Sequence, residues 1–350
     1  MAFVFSLITF VFSMNTFYFS FIIPVYNRPD EIEELVRSIT QLNGGYKFEI
    51  VIVEDGSTIP SKSIIKTYQT QLDISYYFKN NTGPGDSRNY GMKKAKGNYF
   101  IILDSDCILP KEYLIEVNKS LNINYVDCFG GPDNAHHTFT NLQKAINFAM
   151  TSFITTGGIR GGKTKVDKFQ PRSFNMGLSK KAFEASGGFG SIHPGEDPDL
   201  SIRLNKLGFK TKLISNAYVY HKRRISWSKF YMQVNKFGMV RPILNQWHPE
   251  TKRFVYWLPS LFSIGFIFAV ISFLLGVKLF LLAYGFYFLL AFSIAFFSTK
   301  SLIIALQSII AITIQFFGYG YGFLKSTIAL TIFGQEPEQQ FPYLFFKHGK

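Results

Sequence analysis

Tyr99-Phe100-Ile101-Ile102-Leu103-Asp104-Ser105-Asp106 is a run of five apolar residues that ends on two carboxylates. The apolar part is short, β-prone and unbroken, which predicts a strand buried on both faces. The pattern recurs upstream. Residues 48–53 end in Glu54-Asp55-Gly56-Ser57, and Phe19–Val25 ends in Tyr26-Asn27. Between these runs lie segments of helical period. Pro29 stands at a first-turn position, and Ile32, Leu35, Val36, Ile39 and Leu42 follow at helical spacing. A helix is expected around 61–71 and a strand around 74–78. Gly83-Pro84-Gly85 opens a further helix that ends near Gly97, and Pro110 starts another that runs through Leu121. Strands alternating with helices predict an α/β fold, Rossmann-like, with a mostly parallel sheet and helices on both faces. Ligands of such sheets bind beyond the carboxyl ends of the strands. Asn27, Asp55 and Asp104–Asp106 all fall there, whereas a single polar residue at one strand end would read as a turn or cap.

The character of the chain changes near residue 255. Residues 256–277, Leu279–Thr299 and 301–324 are three runs without a charged residue, each 21–24 residues long. A helix needs about 20 apolar residues to cross the hydrocarbon core, so about three transmembrane helices are expected within 255–333, followed by a tail at 334–350. The third run carries Gln307, Gln315 and Gly318-Tyr319-Gly320-Tyr321-Gly322, so a re-entrant or protein-packed course is also open to it. Eight basic residues precede the first run: Lys222, Arg223, Arg224, Lys229, Lys236, Arg241, Lys252 and Arg253. Positive charge beside a span marks the cytoplasmic side and is drawn to anionic headgroups. Within 226–254, Trp227, Phe230, Tyr231, Val234, Phe237 and Gly238 share one side of a helix with Lys and Arg opposite. That pattern predicts an interfacial helix at the bilayer surface. Residues 1–18 form an apolar extension. Residues 1–13 lack the basic start of a signal peptide, and read as a weak membrane contact or an upstream start that the cell does not use.

Composition narrows the function classes. In 350 residues, 47% are hydrophobic and 17% charged, which excludes a disordered chain. Two cysteines, Cys107 and Cys128, exclude a disulfide scaffold and a multi-cysteine zinc module. A net charge of +14 raises the question of nucleic acid, but no helix-turn-helix, zinc or RNA-binding signature accompanies it, so no nucleic-acid partner is expected. The carboxylates at the strand ends point to chemistry instead. Asp104-Ser105-Asp106 can share a hard divalent cation, and such sites usually hold the metal together with substrate phosphates. The 83–88 segment offers backbone N–H groups at a helix start plus Arg88, both suited to anionic groups.

These residues carry a resemblance. Phe21-Ile22-Ile23-Pro24-Val25-Tyr26-Asn27, Val53-Glu54-Asp55-Gly56-Ser57, Gly83-Pro84-Gly85 with Arg88-Asn89 and Gly91, and Asp104-Ser105-Asp106 resemble the ordered motifs of the family 2 glycosyltransferases. Gly195-Glu196-Asp197-Pro198-Asp199-Leu200 with Arg203 and Gly208 adds a fifth match, so the resemblance covers residues 19–225. It implies a GT-A fold and transfer of a sugar from a nucleotide-diphosphate donor to an acceptor hydroxyl, with inversion. By position it implies a donor site of Pro24, Tyr26, Asn27, Asp55, Arg88, Asp104 and Ser105, with Asp55 on the base, Arg88 supporting the nucleotide and Asp104 at the ribose or metal. Asp106, with Asp104 and His221, would hold Mg²⁺ or Mn²⁺. Of the Glu196-Asp197 pair, Asp197 is the expected general base and Glu196 its rival; the alternative is an acidic pair that only matches the helix dipole. His221 follows the apolar run 217–220 and implies a further metal or phosphate contact. His136 and His137 receive no role.

The family's processive members carry Gln-x-x-Arg-Trp after the base motif, and this chain does not. Three spans are also few for a polymer channel. A non-processive enzyme in the cell's inner or plasma membrane is therefore expected, multi-pass, with its catalytic domain cytoplasmic and a saccharide or lipid-linked acceptor from surface polysaccharide assembly. Two alternatives are a polyprenyl-phosphate glycosyltransferase and a catalytically inactive membrane-anchored binding module. Intact Asp55, Asp104, Asp106 and Asp197 argue against the latter.

Overall fold

The computed structural model describes residues 17–134, 139–157, 169–222 and 226–346. The extension at 1–13, His136, His137, Arg223 and Arg224 lie outside the described residues. β1 (Phe19–Val25), α1 (Pro29–Ile39), β2 (Phe48–Asp55), α2 (Lys62–Tyr68), β3 (Ile74–Lys79), α3 (Pro84–Lys94) and β4 (Tyr99–Leu103) alternate as the sequence predicts. β5 (Cys107–Ile108), α4 (Tyr113–Ile123), β6 (Cys128–Gly130), β7 (Asp133–Asn134), α5 (Asn141–Thr151) and α6 (Phe153–Thr156) follow. β8 (Asn175–Ser179), α7 (Lys180–Ser186), α8 (Glu196–Lys206), β9 (Thr211–Leu213) and β10 (Val219–His221) complete the α/β part. α9 (Trp227–Trp247) then leads to α10 (Leu258–Leu274), α11 (Leu279–Thr299), α12 (Leu302–Thr327) and the short α13 (Pro337–Gln340).

Seven strands make one sheet in the order β3-β2-β1-β4-β8-β6-β9. β3, β2, β1 and β4 run parallel, and β6 pairs parallel with β9. β8 is antiparallel to both its neighbours, β4 and β6. The sheet is thus mostly parallel, with one reversed strand that periodicity did not reveal. Side chains alternate across a strand. Ile23, Ile52 and Ile101 accordingly meet α1 and α4 residues such as Leu35 and Leu114 on one face. Ile22, Val51 and Ile102 meet Met92 of α3 and Leu200 of α8 on the other. Strands apolar on both faces are what two covering helix layers require. β5, β10 and β7 form a second, three-stranded sheet that brings His221 opposite Cys107.

Among the described residues, three helices are long and apolar enough to cross a membrane: Phe254–Leu274, Leu279–Thr299 and Leu302–Ile332, of 21, 21 and 31 residues. They fit a membrane anchor. The third is helical throughout, ending in a π-turn over Ile328–Ile332. Its glycines explain the polar look of the 318–322 segment. A Cβ on Gly322 would lie 2.3 Å from the Asn235 carbonyl oxygen, and one on Gly318 2.8 Å from Val234, both in α9. Gly320 faces the other way, where a Cβ would come 2.8 Å from the Pro259 oxygen in α10. Small residues four apart let two helix backbones approach closely. On α9, Phe230 and Val234 of the side expected at the bilayer surface are buried against α5 and α12 residues such as Ile146 and Ile312.

Candidate active site

The turn after β1 is set by Asn27, which adopts φ 53°, a left-handed conformation that Asn tolerates well. Its Oδ1 accepts from the Thr58 N–H at 2.8 Å and the Ile59 N–H at 3.0 Å, and its own N–H donates to Ser57 Oγ at 2.8 Å. The first two strand ends are thereby locked together. Asp55, at the end of β2, is 4% exposed. Its Oδ1 accepts from Lys79 Nζ at 2.6 Å and the Thr82 N–H at 3.0 Å, and its Oδ2 accepts from the Gly83 N–H at 2.9 Å. Asp55 thus organises the entrance of α3. The Gly83 N–H, first of the 83–88 segment that looked ready for a ligand, is bonded to Asp55. Pro24 is half-buried and Tyr26 exposed.

After β4 the chain makes a tight turn, closed by the Cys107 N–H on the Asp104 carbonyl at 3.2 Å. The two carboxylates of the turn take different partners. Asp104 Oδ1 accepts from Arg88 Nη2 at 2.7 Å. Asp106 Oδ2 accepts from Arg28 Nη1 at 2.6 Å, and its Oδ1 lies 3.1 Å from His221 Nε2. Ser105 between them is buried. The His221 ring stacks on Phe174, with centroids 4.8 Å apart. Asp106, Cys107 and His221 place one ligand atom each within 4.8 Å of one another. Burial pushes the Cys107 thiol well above its ordinary value, with the Asp106 and Asp104 charges adding to it. A protonated thiol is a poor ligand, so the usable donors are a carboxylate and an imidazole, a set that suits a hard or borderline divalent cation. Asp104 is not within that group; its side chain, 31% exposed, stands beside it on Arg88.

Arg88 joins the two halves of the site. It is 3% exposed, and besides Asp104 it donates from Nη1 to Glu196 Oε1 at 3.0 Å, with its guanidinium 5.3 Å from the Phe189 ring centroid. Glu196 also receives His193 Nδ1 at 3.0 Å. Burial alone would raise the Glu196 pKa, but His193 and Arg88 hold it down to about 2. Its neighbour behaves oppositely. Burial raises the Asp197 carboxyl above its ordinary value, the Glu196 charge adds to the rise, and Arg172, 3.8 Å away, only partly offsets it. The Ser173 N–H approaches Asp197 Oδ2 at 3.4 Å. One turn of helix therefore presents a firmly ionised carboxylate and a more basic one.

The model of the glycosyl transferase family 2 matches residues 20–186. Those residues form a family 2 glycosyltransferase domain. The domain is 33% identical over 111 residues to the poly(ribitol-phosphate) beta-N-acetylglucosaminyltransferase TarS of Staphylococcus aureus, a match covering 31% of this chain and 19% of TarS. It is 41% identical over 88 residues to an uncharacterized glycosyltransferase of Rickettsia bellii, covering 25% of this chain and 12% of the relative. The chain thus matches only a small part of the length of these curated relatives. In structure it is similar to the mannosyltransferase PcManGT of Pyrobaculum calidifontis, at a TM-score of 0.56 and 14% identity over 91% of this chain and 88% of that one. The shared architecture is the GT-A fold.

Several residues of the family 2 domain and its surroundings carried no signal in the sequence. Arg28 reads as the residue before a helix, yet it neutralises Asp106. Arg172 sits in a loop without periodicity, and only the fold brings it to Asp197, while His193, three residues before Glu196, gave no sign of pairing with it.

Proposed function

We infer that the chain is an inverting, divalent-cation-dependent glycosyltransferase. It moves a sugar from a nucleotide-diphosphate donor to a hydroxyl of a membrane-held acceptor, a lipid-linked saccharide of surface polymer assembly. The observation that carries this reading is the chain Asp104–Arg88–Glu196, in which buried Arg88 ties the carboxylate turn after β4 to the acidic pair opening α8. Donor and acceptor chemistry thus share one rigid frame.

Asp106 and His221, with Asp104 beside them, would hold Mg²⁺ or Mn²⁺. Such an ion supplies Lewis-acid neutralisation of the departing nucleotide diphosphate. Arg28 and Arg88 add fixed positive charge to the same turn. Asp197 is the general base. Its Oδ2 is steadied by Ser173 and Arg172, and Oδ1 takes the acceptor hydroxyl's proton as the hydroxyl oxygen bonds to the anomeric carbon and the bond from that carbon to the nucleotide diphosphate breaks. A raised pKa suits this task, because a stronger base pulls harder on a hydroxyl proton. Glu196, held ionised, positions Arg88. The name of TarS, poly(ribitol-phosphate) beta-N-acetylglucosaminyltransferase, supports a polymeric acceptor. The apolar helices support an acceptor delivered at the bilayer, and the basic residues before them support a cytosolic catalytic domain in the plasma membrane.

The test is a screen of uridine- and guanosine-diphosphate sugars with the full chain in detergent, reading nucleotide diphosphate release with Mg²⁺ or Mn²⁺. Release with at least one donor, stopped by a chelator, is expected. No release with any donor and either cation would leave a binding module in place of an enzyme.

A further inference from the structure

The segment that follows the third apolar helix turns back onto the catalytic domain. Phe341 and Leu344 are 1% and 0% exposed, packed with Ile192, Val240 and Ile243. The Leu344 carbonyl accepts the His193 N–H at 2.7 Å, and the Phe346 N–H donates to the Ser191 carbonyl at 2.9 Å. Ile192 and Phe345 therefore face each other as an antiparallel bridge. The Phe346 ring lies 5.9 Å from the His193 ring and covers Gly83, where a Cβ would stand 2.3 Å from it. One aromatic side chain thus spans the entrances of α3 and α8.

The loop it grips needs an outside hold. Residues 187–195 include Gly187, Gly188 and Gly195, all at positive φ (72°, 77° and 122°), besides Gly190. Glycine loses more conformational freedom on ordering than any other residue. The near end of the loop is pinned by Asn89, which exchanges two 2.8 Å hydrogen bonds with Phe189, and by Arg203 on the Ser186 and Gly188 carbonyls. At Ser191 and His193 the backbone bonds go to the returning segment. His193 is the residue that reaches Glu196.

We propose that residues 341–346 act as a positioning segment for the catalytic loop. They fix His193, and through it the Glu196–Arg88–Asp104 chain, so that the membrane-emerging end of the third apolar helix sets the geometry of transfer. The segment acts through other residues and is not itself a catalytic element. The idea rests on the glycosyltransferase reading for its activity readouts, but not for its structural one.

The experiment uses the full chain in nanodiscs and three kinds of variant. Phe346→Ala, and a chain ending at Gln340, should lower kcat for transfer by about 10²-fold, the effect expected of a small misplacement of catalytic groups. Donor KM should change little, the signature of an interaction that matters after binding. Phe346→Tyr should restore most of the rate. Hydrogen exchange gives a readout free of activity: peptides covering 190–195 should lose protection in both variants. Finally, Ile192→Cys with Phe345→Cys should form a disulfide under a mild oxidant, because non-hydrogen-bonded antiparallel partners have Cα atoms about 4.5 Å apart, within disulfide reach. The cross-linked form should transfer as fast as its own reduced form. Wild-type kcat in Phe346→Ala, or unchanged protection of 190–195, would overturn the proposal. So would loss of transfer on cross-linking that is regained on reduction, since the segment would then be a lid that must open. If the wild type moves no sugar while the exchange result is as expected, the functional reading fails and the positioning role stands.

Discussion

Glu196 and Asp197 are chain neighbours in opposite electrostatic situations. Glu196 faces His193 and Arg88 and stays ionised to about pH 2, while burial makes Asp197 a stronger base than an ordinary aspartate. Asp197→Asn keeps the shape and removes the basicity. Transfer should fall by about 10²–10⁴-fold, the usual contribution of a general base, and donor binding should persist, since it rests on other residues. The sign of the pH effect follows. Asp197 must be deprotonated to act, and its pKa is raised above its ordinary 3.8, so activity should fall with acid through a midpoint above 3.8. A rate profile checks this, and a midpoint below that value would argue against Asp197. The places of these two carboxylates, and of Asp55, Asp104, Asp106 and His221, at strand ends or a helix start were legible in the sequence, while the roles proposed for them come from the family resemblance. Their partners were less legible. That Asp55 organises the α3 entrance, and that Arg28 pairs with Asp106, depends on loop geometry that no periodicity encodes.

At the scale of elements, close approach of α9 and α12 joins the catalytic domain to the anchor. Gly322 admits the Asn235 carbonyl of α9, and the Asn235 side chain donates to the Gly318 carbonyl at 2.9 Å. Gly322→Leu should push the helices apart and cost about 1–3 kcal/mol, as overpacking commonly does. Gly285→Ala is the control, because a Cβ there meets nothing within 4 Å. Thermal unfolding in detergent compares the two; equal midpoints would mean that the α9–α12 seam contributes little. The strands of the parallel half were readable because both faces are apolar. β8 was not, since Asn175–Ser179 is short and Gly177 makes room for the Phe129 ring, where a Cβ would stand 1.9 Å away. In the third apolar helix, the glycines that looked like an interruption of a span are what lets it pack.

At the scale of the molecule, an α/β domain is followed by three apolar helices, and the last of them sends its continuation back to the domain. The change of character near residue 255 was plain from charge alone. The return of 341–346 was not, because a six-residue segment that adds a single β-bridge has no sequence signature. Membrane insertion predicts resistance to extraction by carbonate or high salt without detergent; appearance in the soluble fraction would contradict the spans.

A cation held at the turn after β4 would carry donor binding, with buried Asp106 as a ligand. Donor affinity is measured by calorimetry on the full chain in nanodiscs, with and without Mn²⁺ or Mg²⁺, for the wild type and Asp106→Ala, using the donor that the screen selects. Cation-dependent binding is expected in the wild type, with loss of most of that dependence in Asp106→Ala. Equal affinity and an equal cation response in the two proteins would contradict this expectation.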